Sequence, residues 1–363
     1  MGFFGRAADE DPEHRASLER IENGGIPLAA EARLQALGTD SSLFTSGLSV
    51  NEFALLRQLG PRPLAQVMGA SVVRTGWQYL PALEPGAAQI VYSGYARGGG
   101  MVVTTNRWGN RYGEASPSQV RQYRRHTEVV CELDTLTDAW NLARRRALQR
   151  LREEALQVGA DAVVGVHVHR SDHDLGKGTI DYVVTGTAIR LPDSAGTNDP
   201  ILSDASVQDY WRLHAAGHEP VGLVATTSVV FASPPRSTRL RRARAVARNQ
   251  ELEELSQAFH AARDTVRGRL LGQVSDARGT GAVGVEFQHA VHREKFALAS
   301  SIQTTDWRGW HRGRLGLPYR VSGHSDTERR GWVITMHAAG TAVRRRPGGP
   351  ELSIKPAIRM GSG

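Results

Sequence analysis

The fold is decided by the stretch Leu136–Arg190, LTDAWNLARRRALQRLREEALQVGADAVVGVHVHRSDHDLGKGTIDYVVTGTAIR. Apolar or small residues recur in its first third at steps of three or four, which predicts a long helix with one buried face. These residues are Leu136, Trp140, Ala143, Ala147, Leu151 and Ala155. The apolar run at 162–166 then predicts a strand, and the segment that ends at Arg190 predicts a closing strand.

A weaker copy of this stretch follows at 255–344. A shift of 119 residues carries every position of the helical stripe onto an apolar or small residue, and it carries Val164-Gly165-Val166 onto Val283-Gly284-Val285. Upstream, Ser49-Val50-Asn51-Glu52-Phe53 matches Ser206-Val207-Gln208-Asp209-Tyr210 at a shift of 157, and the closing strands match at a shift of 154. The changing shifts indicate a duplicated core with different insertions in its loops.

The run Gly159-Ala160-Asp161-Ala162-Val163-Val164-Gly165-Val166, closed by Gly186-Thr187-Ala188-Ile189, resembles the YbjQ-like family, which carries a heavy-metal-binding label. The resemblance covers 45–192 well and 204–346 more weakly. It implies a small α+β domain, related in shape to dodecin subunits, and ring-shaped homo-oligomers that are commonly pentamers. It transfers no metal ligand and no catalytic residue to this chain.

The expected fold is therefore α+β, with two tandem YbjQ-like (dodecin-subunit-like) modules. Each module is a small antiparallel sheet with one long helix packed across it, plus loop and hairpin insertions. The expected boundaries are an N-terminal arm with short helices at 1–44, a first module at 45–192 with an insertion at 75–134, a linker at 193–203, a second module at 204–346 with an insertion at 289–335, and a C-terminal tail at 347–363.

Two smaller expectations concern the ends of these units. The segment 16–37 predicts two short helices broken at Gly24-Gly25-Ile26-Pro27, and this pair either docks on a neighbouring subunit or forms a loosely packed cap. The first insertion predicts a second hairpin layer whose turn runs from Tyr112-Gly113 to Pro117.

Composition limits the class of protein. The 363 residues are 40% hydrophobic, which is enough for proper cores, and the net charge of +8 permits acidic partners without requiring them. One cysteine, Cys131, excludes an internal disulfide framework and is expected to be a buried small hydrophobe. No apolar run approaches the roughly 20 residues of a spanning helix, so we expect a soluble cytoplasmic protein without membrane insertion.

The best candidate for a metal-binding site follows the apolar strand of the first copy. Residues two apart in a strand share a face, so His167 and His169 are placed to chelate one divalent metal ion, which would be the cofactor of this site. The site would be closed from the turn by His173, Asp172 and Asp174. The alternatives are that the histidines are simply exposed, or pair with carboxylates across a subunit contact. The second copy has Glu286 and Gln288 at the matching positions, so such a site is not duplicated.

Two surface candidates remain. A basic cluster at the entry to the second helix is a candidate anion-binding or nucleic-acid patch, although a solvated helical face is the commoner meaning of such a cluster; it comprises Arg239, Arg241, Arg242, Arg244 and Arg248. No nucleic-acid recognition motif accompanies it, so nucleic acid is not the favoured partner. In the second insertion, Trp307, Trp310 and Trp332 suit a contact between subunits.

No nucleophile elbow, metalloprotease helix or nucleotide loop is present, so we expect no enzyme activity. The leading hypothesis is a non-catalytic, ring-forming homo-oligomeric scaffold or binding protein, because a small sheet under one helix leaves edges that neighbours can cover. Its partner would be itself, as a two-tiered pentamer, with another protein as a second possibility. The alternatives are a metal-binding or metal-sensing protein and an anion or nucleic-acid binder.

Overall fold

The computed structural model describes residues 12–39, 45–80, 102–105, 111–115, 129–172, 178–192, 194, 196–233, 249, 251–298, 308–312, 318–322 and 328–346. These residues form a mixed α+β fold, as the sequence predicts. The helices are α1 (Pro12–Glu22), α2 (Leu28–Thr39), α3 (Val50–Leu59), α4 (Asp134–Gln157), α5 (Val207–Ala215) and α6 (Glu253–Asp276). We call residues 45–192 the first half and residues 201–346 the second half.

The strands of the first half are β1 (Arg62–Arg74), β2 (Tyr79–Leu80), β3 (Val102–Thr105), β4 (Arg111–Ala115), β5 (Val129–Glu132), β6 (Ala162–Asp172) and β7 (Thr179–Arg190). Those of the second half are β8 (Ile201–Leu202), β9 (His218–Ser233), β10 (Gly281–Leu298), β11 (Arg308–Arg312), β12 (Pro318–Ser322) and β13 (Glu328–Arg345).

The first sheet has the order β1-β7-β6-β8, with α4 packed across β1 and β7. Strands β1, β7 and β6 are antiparallel neighbours, whereas the short β8 from the second half runs parallel to β6. The predicted helical stripe is largely buried: Trp140, Ala143, Ala147, Leu151 and Ala155 all face the sheet. The period of apolar residues therefore identified the face that packs.

The second sheet has the order β2-β10-β13-β9-β5, with α6 packed on β9 and β13. Two strands of this sheet, β2 and β5, come from the first half. The inner face of α6 is again the predicted stripe, since Ala262, Val266, Leu270 and Val274 are buried.

Both halves interrupt a strand with a bulge at a glycine. The pairing of β6 with β7 shifts between Val164 and His167, and the pairing of β10 with β13 shifts between Val283 and Glu286. The glycine inside each bulge, Gly165 and Gly284, has a left-handed φ of 59° and 65°, a conformation that a side chain disfavours.

One hydrophobic core joins the two sheets. Val67, Leu151 and Tyr182 from the first half pack in the same buried cluster as Phe231 and Val333 from the second half. Cys131 lies half-buried against this cluster, and burial raises the pKa of its thiol to about 11, so the thiol is unreactive at neutral pH.

Helices α1 and α2 contact α4 of the same chain, and their docking on a neighbouring subunit stays a prediction. Arg33 forms an ion pair with the buried Glu154 at 2.8 Å, and Arg150 donates a hydrogen bond to the Gly25 carbonyl at 3.1 Å. Ile26 and Leu34 are buried beneath them. The segment 1–11 lies outside the described residues.

One expectation about the insertions is wrong. Tyr112 and Gly113 lie inside strand β4, which pairs with β3, so the predicted turn is misplaced. Strands β10 and β13 run on into the expected second insertion, with pairs from Ala290↔Thr335 to Ala297↔Glu328. Phe296, Val333 and Ile334 are buried there, so this part of the strand pair belongs to the sheet and its core.

No helix in the described ranges is long and apolar enough to cross a membrane.

Candidate functional site

The two predicted metal-binding histidines lie on β6, just after its bulge. His167 and His169 are opposite Thr185 and Val183 of β7, and both are exposed. His167 is close enough to interact electrostatically with Asp204, which precedes α5. Burial raises the pKa of Asp204 and Glu286 adds to the rise, while the hydrogen bond from Thr341 and the charge of His167 oppose it.

The remaining members of the predicted metal site cannot be placed beside these histidines. His173 and Asp174 lie outside the described residues, as does the side chain of Asp172. Among the residues that the structure describes, no group of three or more His, Cys, Asp or Glu side chains is arranged to hold a metal ion. The metal site therefore stays a prediction.

A polar layer lies between the two sheets. Arg170 of β6 donates hydrogen bonds to Gln288 of β10 and to the buried Tyr182 of β7. Burial raises the pKa of Tyr182, and the charges of Arg170 and Arg144 oppose that rise. Sequence reasoning assigned no role to Arg170, because nothing in a strand pattern shows which neighbouring sheet a polar residue meets.

His337 of β13 also belongs to this layer. Its ring meets Trp140 of α4 edge to face at 4.7 Å between ring centroids, and its Nδ1 lies 2.8 Å from the Thr227 hydroxyl. Burial, and then the charge of Arg170, lower the pKa of His337 from 6.5 to about 3. The histidine is thus neutral near pH 7 and acts as a packed polar group.

Side chains of the long helices close the free edges of two strands. From α4, Glu154 accepts a hydrogen bond from the Met68 amide at 2.8 Å, and Arg150 donates to the Ala70 carbonyl. From α6, Gln273 accepts from the Ala225 amide at 3.0 Å and donates to its carbonyl at 2.9 Å.

Helix α4 also reaches the second sheet. Its buried Asn141 donates to the Thr227 carbonyl at 3.0 Å and accepts from the Thr227 amide at 3.3 Å, while Arg144 donates to the Ala225 carbonyl. An unpaired strand edge is a hazard for uncontrolled pairing, and these side chains satisfy it without another strand. The chemistry assembled here is therefore structural.

Helices α3 and α5 border an open groove on the surface. Its walls are Asn51, Leu55 and Gln58 on one side and Gln208, Trp211 and Arg212 on the other. Amide and apolar side chains dominate this lining, so the groove offers no constellation for acid–base or nucleophilic chemistry.

The surface candidates can be placed only in part. The basic cluster, namely Arg239, Arg241, Arg242, Arg244 and Arg248, lies outside the described residues, as do Trp307 and the side chain of Trp310. Trp332 is half-buried on β13, where the guanidinium of Arg293 stacks over its ring at 4.1 Å from the centroid. The roles predicted for these residues stay untested.

Comparison with known proteins gives matches at two levels. The model of the YbjQ family, described as "Putative heavy-metal-binding", matches residues 124–192. A UPF0145 protein of Pseudomonas putida is 44% identical over 57 residues, which are 16% of this chain and 54% of that protein.

A longer match reaches across both halves. The encapsulin nanocompartment protein of Mycobacterium tuberculosis is 28% identical over 324 residues, which are 88% of this chain and 92% of that protein. Neither relative's name denotes an enzyme. The comparison with solved structures gives no significant match to the chain.

Proposed function

We propose that the chain, whose residues 124–192 match the model of the YbjQ-like family, is a non-catalytic building block of a closed homo-oligomeric protein assembly. The observation that carries this proposal is the similarity to a nanocompartment protein over 88% of the chain. That similarity includes both halves and most of what lies between them. The property described by the relative's name is therefore best transferred to the chain as a whole, and this property is participation in an assembly.

The proposal includes a tandem duplication of the YbjQ-like module. Helices α4 and α6 each have 24 residues and are related by the shift of 119, which carries Arg150 onto Arg269 and Glu154 onto Gln273. The strand atoms that these side chains bind are related by the shift of 157. Arg150 bonds the carbonyl of residue 70 and Arg269 that of residue 227; Glu154 bonds the amide of residue 68 and Gln273 that of residue 225.

The helix starts support the same duplication. Ser49 caps α3 by accepting from the Glu52 amide, and Ser206 caps α5 by accepting from the Asp209 amide. Matching caps, matching bulges and matching edge contacts at two fixed displacements are more than a shared helix-and-strand pattern requires. Two copies of one module account for all of them.

Native mass spectrometry of the full chain, purified without chelator, tests this function. We expect a single closed multiple of the 39.5 kDa chain, with the pentamer as the number implied by the family resemblance. A monomer at micromolar concentration would overturn the proposal. A mixture of open sizes that grows with concentration would contradict closure.

A metal-binding function is the second candidate, because His167 and His169 are both exposed and neighbour each other on one strand face. If it is right, the wild-type chain takes up about one Zn²⁺ per chain in a titration, and the double variant His167→Ala/His169→Ala loses this uptake. The exposed His260 of α6, changed to Ala, is the matched control and should keep the metal. A wild-type chain that binds no Zn²⁺ removes this candidate.

A further inference from the structure

We propose that the contact between the two halves of one chain is repeated between chains, so that the first half of one copy docks on the second half of the next. This inference rests on the proposed tandem modules and self-assembly. It goes beyond them by naming the two surfaces that meet. We call residues 45–50 with strand β1 the leading face, and the edge of β10 with the start of α6 the trailing face.

The contact inside the chain supplies the template. Residues 201–205 of the second half lie along the outer edge of β6, where the Ser203 amide donates a hydrogen bond to the Val163 carbonyl at 2.9 Å. The bulge of β6 is satisfied by the same segment, since the amides of Gly165 and Val166 donate to the carbonyls of Ala205 and Ser203, both at 3.0 Å. Val207 then inserts into the first half against Leu56, Ala162 and Val164.

The first half holds the corresponding segment in the same position on its own sheet. In the second half, the Asp204 amide donates to the Thr341 hydroxyl at 3.1 Å, and in the first half the Gly47 amide donates to the Thr187 hydroxyl at 3.1 Å. The shifts of 157 and 154 relate these two contacts. Residues 45–49 are therefore positioned as 202–206 are, but in the described part of the chain no strand pairs with them.

The edge that would receive this segment is open at the other end of the chain. Of the described strands, only β2 lies beyond β10, and it pairs with β10 at Ala297 and Leu298 alone. The stretch 281–285, which corresponds to the covered stretch 162–166 of β6, thus has no neighbouring described strand on its outer side. Its bulge at Gly284 repeats the bulge whose amides β6 uses to bind residues 203 and 205.

Three pairs of valines point to the same two faces. Val207 is 2% exposed and its counterpart Val50 is 83% exposed; Val229 is 1% exposed and Val72 is 56% exposed. On the other side of the contact, Val164 is 1% exposed and Val283 is 37% exposed. In each pair the buried valine lies at the contact between halves, and its exposed counterpart lies on the leading or the trailing face. A single exposed valine needs no explanation, but exposed valines that are grouped on two faces and correspond to buried valines of a known contact are consistent with a protein–protein contact.

The start of α6 belongs to the trailing face for a similar reason. Leu133 precedes α4, is fully buried, and donates its amide to the Val229 carbonyl of the other half at 2.7 Å. Its counterpart before α6, Leu252, is exposed. A second copy would bring the Val72 carbonyl to Leu252, which completes the same hydrogen bond between chains.

The two faces differ from each other, so the contact is heterologous. A heterologous contact that closes gives a ring, and here all modules would lie in one tier, in alternating order. A twofold contact would instead pair each face with a copy of itself. The leading face and the trailing face are complementary to each other, and they lie on different halves of the chain.

Complementation between two variants tests the proposal. Val50→Asp damages the leading face alone, and an acidic residue at the first position of α3 suits the positive end of the helix, so the fold is retained. Val283→Asp damages the trailing face alone. Each variant should be a monomer in native mass spectrometry, and a mixture should give a one-to-one pair through the one intact leading face and the one intact trailing face.

Leu271→Asp is the matched control. Leu271 is exposed on α6, and its counterpart Arg152 is half-buried and pairs with Asp199 of the segment between the halves. This variant should assemble like the wild type. Assembly that survives Val50→Asp, a mixture that forms no pair, or loss of assembly in Leu271→Asp would each overturn the proposed faces. A monomeric wild type would instead overturn the proposed function itself.

Discussion

His337 shows how a residue far from any reaction can make stability depend on pH. Its pKa in the folded chain is about 3, against an ordinary value of 6.5, because burial and Arg170 disfavour the charged ring. Between these values the unfolded chain binds a proton that the folded chain does not bind. The stabilising contribution is therefore fully present above pH 6.5 and is lost as pH falls from 6.5 towards 3.

We expect the free energy of unfolding to fall by about 1.4 kcal/mol for each pH unit below 6.5 through this one group. His337→Gln keeps a neutral polar group opposite Thr227 and should flatten this part of the profile, although it lowers stability at pH 7. Urea unfolding at several pH values measures the slope. His169→Gln, at an exposed position, should leave the slope as in the wild type, and an unchanged slope in His337→Gln would refute the assignment.

At the scale of elements, the long helices do more than cover the sheets. Each one presents polar side chains at the edge of a strand, where they replace the hydrogen bonds of a missing neighbour. Gln273 matches both groups of Ala225, whereas Glu154, at the corresponding position of α4, takes only the Met68 amide and pairs with Arg33 of α2. The side chain at this helix position therefore binds both a strand edge and α2 in the first half, and it binds a strand edge in the second half.

Replacing Gln273 by Met keeps the length of the side chain and removes both hydrogen bonds. We expect a loss of about 1–3 kcal/mol in the free energy of unfolding, because the Ala225 amide is left without its partner. Denaturant titration measures this loss. The control is Gln149→Met on α4, where the side chain is exposed and donates a hydrogen bond to the Glu153 side chain, and its effect should stay within about 0.5 kcal/mol. Equal effects of the two substitutions would show that the strand edge is satisfied in another way.

At the scale of the whole molecule, the two halves share a large buried cluster. Phe231 of β9 is fully buried, packs edge to face on Phe296 of β10 at 5.5 Å, and lies in the same cluster as Leu151 and Tyr182 of the first half. Strand β5 of the first half also extends the second sheet. The halves are therefore expected to unfold together.

We expect Phe231→Ala to cost about 3–5 kcal/mol and to shift one common unfolding transition. Tryptophan fluorescence and far-ultraviolet circular dichroism should report the same midpoint before and after the change. Two separate transitions, of which the substitution moves only one, would mean that the halves are independent. Leu271→Ala at an exposed site should leave the midpoint almost unchanged.

Much of the architecture was predictable because periodicity is a local property. The stripe from Trp140 to Ala155 and the strands around Val164 and Val283 follow from the spacing of apolar residues, which acts within a few positions. The length of β10 and β13 was not predicted, because it depends on pairing with each other and with β9 and β2, which are distant in the sequence. The candidate metal site stays a prediction, because His173 and Asp174 lie outside the described residues and the spacing along the chain does not determine where the side chains of a turn lie.

By itself, the sequence determined the helices, the strand alternation, the family resemblance and the repeated pattern, all of which depend on which residue types recur at which distance. Only the tertiary structure decided that Arg170 and His337 lie between the sheets, that Arg150 and Gln273 close strand edges, and that Val207 is buried while Val50 is not. The physical reason is that burial and hydrogen-bond partners can depend on residues more than a hundred positions away. No local pattern shows which distant surface will pack against a given side chain.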